Sequence, residues 1–167
     1  MREIKTAEPE QKAAMEREMR AVLERLGQPE GAVGSLLGLS LVTCDPEEKT
    51  LTLSMEPSPW MANLMGWMHG GMISSVMDTT MGALSRWCRG GEEFTPTVTM
   101  QTTYLRPVML SGRLYIRARV THAGHSLISL TSELWSGDET ERLLATSCGT
   151  YAVLRRGQEE KAGQVGK

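Results

Sequence analysis

From Gly70 to Cys88 the sequence describes a helix with almost no face left for water. Met72, Ile73, Val76, Met77, Met81, Ala83, Leu84 and Trp87 fall around most of its circumference rather than along one stripe. A helix that is apolar nearly all round must be enclosed on most sides, so the rest of the chain has to supply a wrapper. The residues after Arg89-Gly90-Gly91 have the period for one. Leu114, Ile116, Ala118 and Val120, then Ile128, Leu130 and Leu134, alternate with mostly polar neighbours, the pattern of an antiparallel sheet with one covered face. Strands are expected at Thr97–Arg106, Arg113–His122, Ser126–Trp135 and Arg142–Leu154, separated by Pro107 to Gly112, Ala123-Gly124 and Gly137-Asp138. If the central hairpin pairs in register, Arg117 or Arg119 lies near Glu133. Upstream, Leu36–Cys44 and Thr50–Glu56 read as two strands joined by the turn Asp45-Pro46-Glu47-Glu48-Lys49. One buried helix and a long antiparallel meander make an α+β layout, with the sheet wrapped around the helix.

A chain of 167 residues suits one such domain and can bury a sizeable core. Residues 6 to 26 add an amphipathic N-terminal helix: Thr6 as its cap, Met15, Met19, Val22, Leu23 and Leu26 on its apolar face, Gly27 at its end. The expected division is an N-terminal helical extension at 1–30, the domain at 31–154, and a polar, flexible tail at 155–167.

Several function classes are disfavoured by composition. Net charge is -2 and the Lys and Arg residues are scattered, so nucleic acid is not an expected partner. No stretch approaches the roughly 18 apolar residues that cross a bilayer, and MREIKTAEPEQ has no apolar run of the signal-peptide kind. The three cysteines, Cys44, Cys88 and Cys148, are far apart and suit neither a disulfide framework nor a zinc site, which makes a reducing cytoplasm the expected compartment. His122 and His125 flank a hairpin turn without acidic or cysteine companions, and no GxGxxG or Walker motif is present, so neither metal nor organic cofactor is expected. Twelve methionines stand against one phenylalanine, several of them between Met55 and Met81. Methionine at such density serves either as flexible core filling or as the lining of a pocket that adapts to apolar groups.

The chemistry is concentrated in NLMGWMHGGMISSVMDTTMG, Asn63 to Gly82. His69-Gly70-Gly71 opens the apolar helix, and a helix start offers unpaired N–H groups and a positive dipole end to a carbonyl oxygen gaining negative charge. Asp78 sits inside the helix, where a carboxylate is costly to bury. It is either held by hydroxyls such as those of Ser74, Ser75 and Thr79, or it does chemistry on the polarised carbonyl.

Asn63, His69-Gly70-Gly71 six residues later, Asp78, and Thr103-Tyr104-Leu105-Arg106-Pro107 in the next strand follow in a telling order. From about Leu36 to Leu154 the chain resembles the hotdog-fold acyl-CoA thioesterases of the phenylacetate-pathway and thioesterase-superfamily-member type. The resemblance implies hydrolysis of an acyl-CoA thioester to free acid and CoA. It implies that the Gly70 N–H polarises the carbonyl and that Asp78 is the catalytic acid residue, acting as nucleophile through an anhydride or as general base on water. Asn63 then either braces the loop or contacts the thioester or water. Thr97 positions water or is an ordinary strand residue, and His69 orders the loop. His69, Gly71 and Arg106 are carried as substrate-binding residues. Arg86, Arg89, Arg106 and Arg113 are available for CoA phosphates, though each taken alone reads as a solvated charge. Two other readings stand beside this one: a non-catalytic acyl-CoA-binding hotdog protein, and a hotdog hydratase or dehydratase, which would need a histidine opposite the acid that His69, His122 and His125 do not evidently supply.

Helix geometry adds a constraint. Asp78 follows Gly70 by eight residues, so their backbones stand about 12 Å apart along the axis. A short aspartate cannot close that gap around one carbonyl. Either one of the two is not catalytic, or they come from different chains. The resemblance implies the second: a homodimer with antiparallel helices and two shared sites, each taking Asn63 and Gly70 from one subunit and Asp78 and Thr97 from its partner, with a dimer of dimers (a homotetramer) as a further expectation.

Overall fold

The computed structural model describes residues 7–91, 94–137 and 142–154. Thr6, the turn residue Asp138 and the tail 155–167 lie outside the described residues. The elements, in order, are α1 (Ala7–Leu26), α2 (Val33–Leu37), β1 (Ser40–Asp45), β2 (Thr50–Met55), a 3-10 turn at Pro59–Met61, α3 (Gly70–Trp87), β3 (Thr97–Tyr104), β4 (Leu114–Ala123), β5 (Leu127–Ser136) and β6 (Arg142–Ala152).

The six strands form one antiparallel sheet in the order β1-β2-β4-β5-β6-β3. The hairpin β1-β2 begins one side, and the chain then passes through α3 and lays β3 on the far edge. It crosses back to start the β4-β5-β6 meander, which ends beside β3. This layout leaves β3 with one paired side and one open side.

α3 is the enclosed helix that its composition demanded. Ile73, Val76, Met77, Met81, Ala83 and Leu84 are buried, and the hydroxyls buried with them are satisfied: Thr80 Oγ1 donates to Val76 O at 2.8 Å and Ser85 Oγ to Gly82 O at 2.8 Å. The helix stops at Cys88. The next turn folds back through Gly90 and Gly91, at φ of 69° and 73°, a region that glycine occupies without Cβ strain.

Two apolar clusters flank the helix. Around its C-terminal half, α1 contributes Met15, Met19 and Val22, which pack with Leu51, Leu84, Ile128, Leu130 and Tyr151. Around its N-terminal half, Met61, Met68, Ile73 and Met77 pack with Leu114, Ile116 and Leu134. Met15, Met19, Met55, Met61, Met68, Met77 and Met81 are all buried. For these the methionine surplus is core filling, a use suited to an unbranched, adaptable side chain.

One sequence expectation needs correction. The segment from Leu36 does not begin a strand: residues 33–37 form the short helix α2, closed by Gly38 at φ 59°, and β1 starts only at Ser40. As a helical turn, the segment buries Leu37 in the cluster that holds Met55 and Met61. The hydroxyls of Ser74 and Ser75 do not hold Asp78. They bond Tyr104 and Thr102, and Gly71 O, respectively. The hairpin register does set Arg117 opposite Glu133, while Arg119 turns to Glu48 at 2.8 Å.

Candidate active site

The His-Gly-Gly entry is built by a small hairpin pinned on three sides. Ala62 pairs with Met68, His69 N donates to Met61 O at 2.8 Å, and Met68 N donates to Val108 O at 2.8 Å. Within it, Asn63 ties the turn together. Its Oδ1 accepts from the N–H groups of Met65 (2.8 Å) and Trp67 (3.1 Å), an Asx-type brace. The side-chain carbonyl is thus committed to the loop, and the Nδ2 donors have no partner among the described residues.

His69 caps α3. Its Nδ1 accepts from Gly71 N at 2.9 Å, which puts the ring proton on Nε2. Met72 N and Ile73 N both reach His69 O, at 2.9 and 3.1 Å. Of the four donors that open the helix, only the Gly70 N–H has no partner among the described residues. Gly70 also has no spare room: a Cβ there would stand 3.2 Å from Tyr104 Cζ, and the Tyr104 hydroxyl donates to Gly70 O at 3.1 Å. Asn63, Gly70 and Arg106 line one groove of about 320 Å³ with Trp67, Tyr104 and Leu105. The Arg106 guanidinium is anchored on Leu143 O. Gly71 stands beside the groove with its N–H already given to His69.

The other half of the predicted set lies two turns along α3. Asp78 Oδ1 accepts from Thr97 Oγ1 at 2.9 Å and from the Tyr151 hydroxyl at 2.8 Å. Asp78 is partly buried and Thr97 is exposed at the start of the edge strand. Thr97 reaches the helix side because β3 is irregular. Met100, Thr102 and Tyr104 face α3, and strict alternation would turn Thr97 outward. A register shift between Thr97 and Thr99 turns it back and leaves Val98 exposed instead. Within one chain, therefore, the pair Asn63 and Gly70 stands apart from the pair Asp78 and Thr97.

Tyr151 is the member that the sequence reading missed. It stands directly across the ladder from Thr97 and is 1% exposed. Burial first, then the charge and hydrogen bond of Asp78, push its phenol well above the usual tyrosine range, so it stays a donor. Cys44 and Cys88 are not activated thiols: burial raises Cys44 to about 11 and pushes Cys88 up as well. A larger depression, about 560 Å³, lies on the outer face of the sheet among Thr52, Arg117, Arg119, Thr131 and Glu133. It is a polar gutter on the side away from α3 and contains none of Asn63, Gly70, Asp78 and Thr97. No group of three or more His, Cys, Asp or Glu able to hold a metal occurs among the described residues.

A sequence profile of the thioesterase superfamily matches residues 65–142, a stretch that holds His69, Gly70, Asp78, Thr97 and Arg106 but neither Asn63 nor Tyr151. A conserved protein of known structure from Pseudomonas aeruginosa is 31% identical, covering 74% of this chain and 94% of its own, with a TM-score of 0.66. The chain belongs to the thioesterase superfamily. This superfamily member is also similar to a thioesterase family protein from Silicibacter pomeroyi, at 26% identity, 84% and 98% coverage and a TM-score of 0.71. It shares its fold with the PaaI protein from the phenylacetic acid degradation operon of E. coli, at 20% identity, 86% and 95% coverage and a TM-score of 0.70. The fold is therefore the hotdog fold expected from the sequence, with the extra N-terminal helix α1 in place. No curated protein sequence gives a significant match. Among the described residues no helix is long and apolar enough to cross a membrane.

Proposed function

We propose that this chain hydrolyses acyl-CoA thioesters, giving a free acid and CoA, in sites shared between two copies. The observation that carries the proposal is the division of α3: one N–H at its mouth with no partner among the described residues, and a carboxylate two turns further along, facing an open sheet edge. The Gly70 N–H and the helix dipole would hold the thioester oxygen as it gains charge. The Nδ2 of Asn63, free of the loop it braces, would add a second donor to the thioester or to water. Asp78 from the partner subunit would either attack the carbonyl to form an anhydride, later opened by water, or take a proton from the attacking water. In both routes the C–S bond breaks, the thiolate leaves and is protonated, and water supplies the acid's new oxygen.

The same edge favours pairing of two copies. The open side of β3, with Val98 at 55% exposure, Tyr104 at 52% and the adjoining Leu105 at 45%, is a poor surface to leave in water. Trp67, which lines the groove, and its loop neighbours Leu64 and Met65 are exposed as well. An antiparallel pair joined through β3 and α3 would cover this band and bring Gly70 of one copy toward Asp78 of the other. A dimer of dimers is the further assembly proposed. The use of His69 Nδ1 as a helix cap argues against the hydratase or dehydratase chemistry that would need a free imidazole opposite the acid. Three free cysteines suit a reducing cytoplasm.

The proposal is tested by releasing free thiol from acetyl-, octanoyl-, palmitoyl- and benzoyl-CoA and by light scattering on the same sample. Turnover of at least one ester by a dimer or tetramer is expected. Binding without turnover of any would favour a non-catalytic acyl-CoA-binding protein, and a stable active monomer would contradict the shared site.

A further inference from the structure

We propose that Tyr151 is a positioning residue which, with Thr97, immobilises Asp78 Oδ1 and leaves Oδ2 as the single oxygen presented for reaction. The inference rests on the hydrolytic reading above and goes beyond it by assigning unlike roles to the two carboxylate oxygens. Both donors converge on one atom: the Tyr151 hydroxyl at 2.8 Å and Thr97 Oγ1 at 2.9 Å. The Tyr151 hydroxyl also lies 3.2 Å from the main-chain oxygen of Asp78, which fixes it against the helix as well as against the side chain. Oδ2 has no partner among the described residues. Two hydrogen bonds to one oxygen restrict rotation of the carboxylate about its last bond, so less orientational freedom is left to lose at the moment of reaction.

The surrounding backbone is shaped to the tyrosine ring. Gly149 interrupts the middle of β6, and a Cβ there would meet Tyr151 Cε2 at 3.1 Å and Met81 Cε at 3.3 Å. Gly82, inside α3, would place a Cβ 3.7 Å from Tyr151 Cε1. Glycine weakens a strand interior, and here the ring fills the space that Gly149 leaves, whereas a Cβ at Gly82 would make ordinary contact with it. The hydroxyl is thereby delivered to Asp78 from a rigid strand rather than from a loop.

Tyr151→Phe keeps the ring and removes only the hydroxyl. With the acyl-CoA that the intact protein turns over fastest, kcat is expected to fall by about 10- to 100-fold, the range set by losing one hydrogen bond to a charged group. KM should stay within about twofold and the melting temperature within a few degrees, a split that a packing defect would not give. The deciding measurement is the double-mutant cycle with Asp78→Asn. Tyr151→Phe is expected to cost nothing further in the Asp78→Asn background, because it acts through that carboxylate. An inactive Asp78→Asn beside a Tyr151→Phe with wild-type kcat overturns this inference alone, as does a Tyr151→Phe loss that persists in full on the Asp78→Asn background. Wild-type turnover by Asp78→Asn overturns the hydrolytic role of Asp78 and this inference with it.

Discussion

Asp78→Asn is expected to lose about 10²–10⁴-fold in kcat while the protein stays folded and still binds acyl-CoA. The substitution is nearly silent in structure. An asparagine Oδ1 accepts the same two hydrogen bonds from Thr97 and Tyr151 that the carboxylate accepts now. What disappears is the carboxylate oxygen Oδ2, which has no partner among the described residues and which the proposed mechanism uses to attack the carbonyl or to take a proton from water. Free-thiol release measures the loss, and thermal denaturation together with titration of a non-hydrolysable acyl-CoA thioether checks that fold and binding survive. Thr97→Ala is expected to be milder, since Tyr151 still holds Oδ1. Wild-type turnover by Asp78→Asn would remove the carboxylate from the mechanism.

Gly70→Pro should lower kcat by about 10²–10³-fold relative to Gly70→Ala, the usual loss for one oxyanion donor. Proline is suited to the first helical position, where its missing N–H breaks no helix bond. His69, at φ -63° and ψ 137°, already has the extended conformation required before proline. Both variants place a Cβ 3.2 Å from Tyr104 Cζ, a contact that the ring relieves by moving a few tenths of an ångström. The Cβ crowding is common to both, so their ratio reads the loss of the N–H together with the ring carbon that takes its place. Equal activities would mean that the thioester oxygen is held elsewhere.

Much of this arrangement can be read from residues alone, and the parts that cannot share a cause. α3 is legible because apolar side chains on every face leave it no position but the centre of a wrapper. β4 and β5 are legible because their alternation has period two and one face is covered. Gly70 and Asp78 stand out because a glycine pair at a helix mouth and a carboxylate in an apolar helix are both locally anomalous. The start of β1 was misplaced because Leu36-Leu37 suits a strand and a helical turn equally, and only the distant Met55 and Met61 decide between them. Tyr151 was missed because a tyrosine in a strand is locally ordinary. It becomes part of the site only through a ladder register spanning 54 residues, from Thr97 to Tyr151. The register shift that turns Thr97 inward leaves no mark in the sequence either. Gly149 was the available signal: a glycine in mid-strand, two residues before an aromatic on the same face, marks a ring lying across the backbone.

Shared sites are tested most directly by mixing two inactive proteins. Asp78→Asn chains keep the Gly70 half-site, and Gly70→Pro chains keep the Asp78 half-site. After subunit exchange at equal concentrations, half of the dimers should be mixed. Each mixed dimer should contain one intact site and one doubly damaged site, so about a quarter of wild-type activity should return. The signal should rise with the rate of exchange and be absent when each variant is assayed alone. Mixtures no more active than the separate variants, after mass spectrometry has verified that mixed dimers form, would contradict a site built from Gly70 of one subunit and Asp78 of the other.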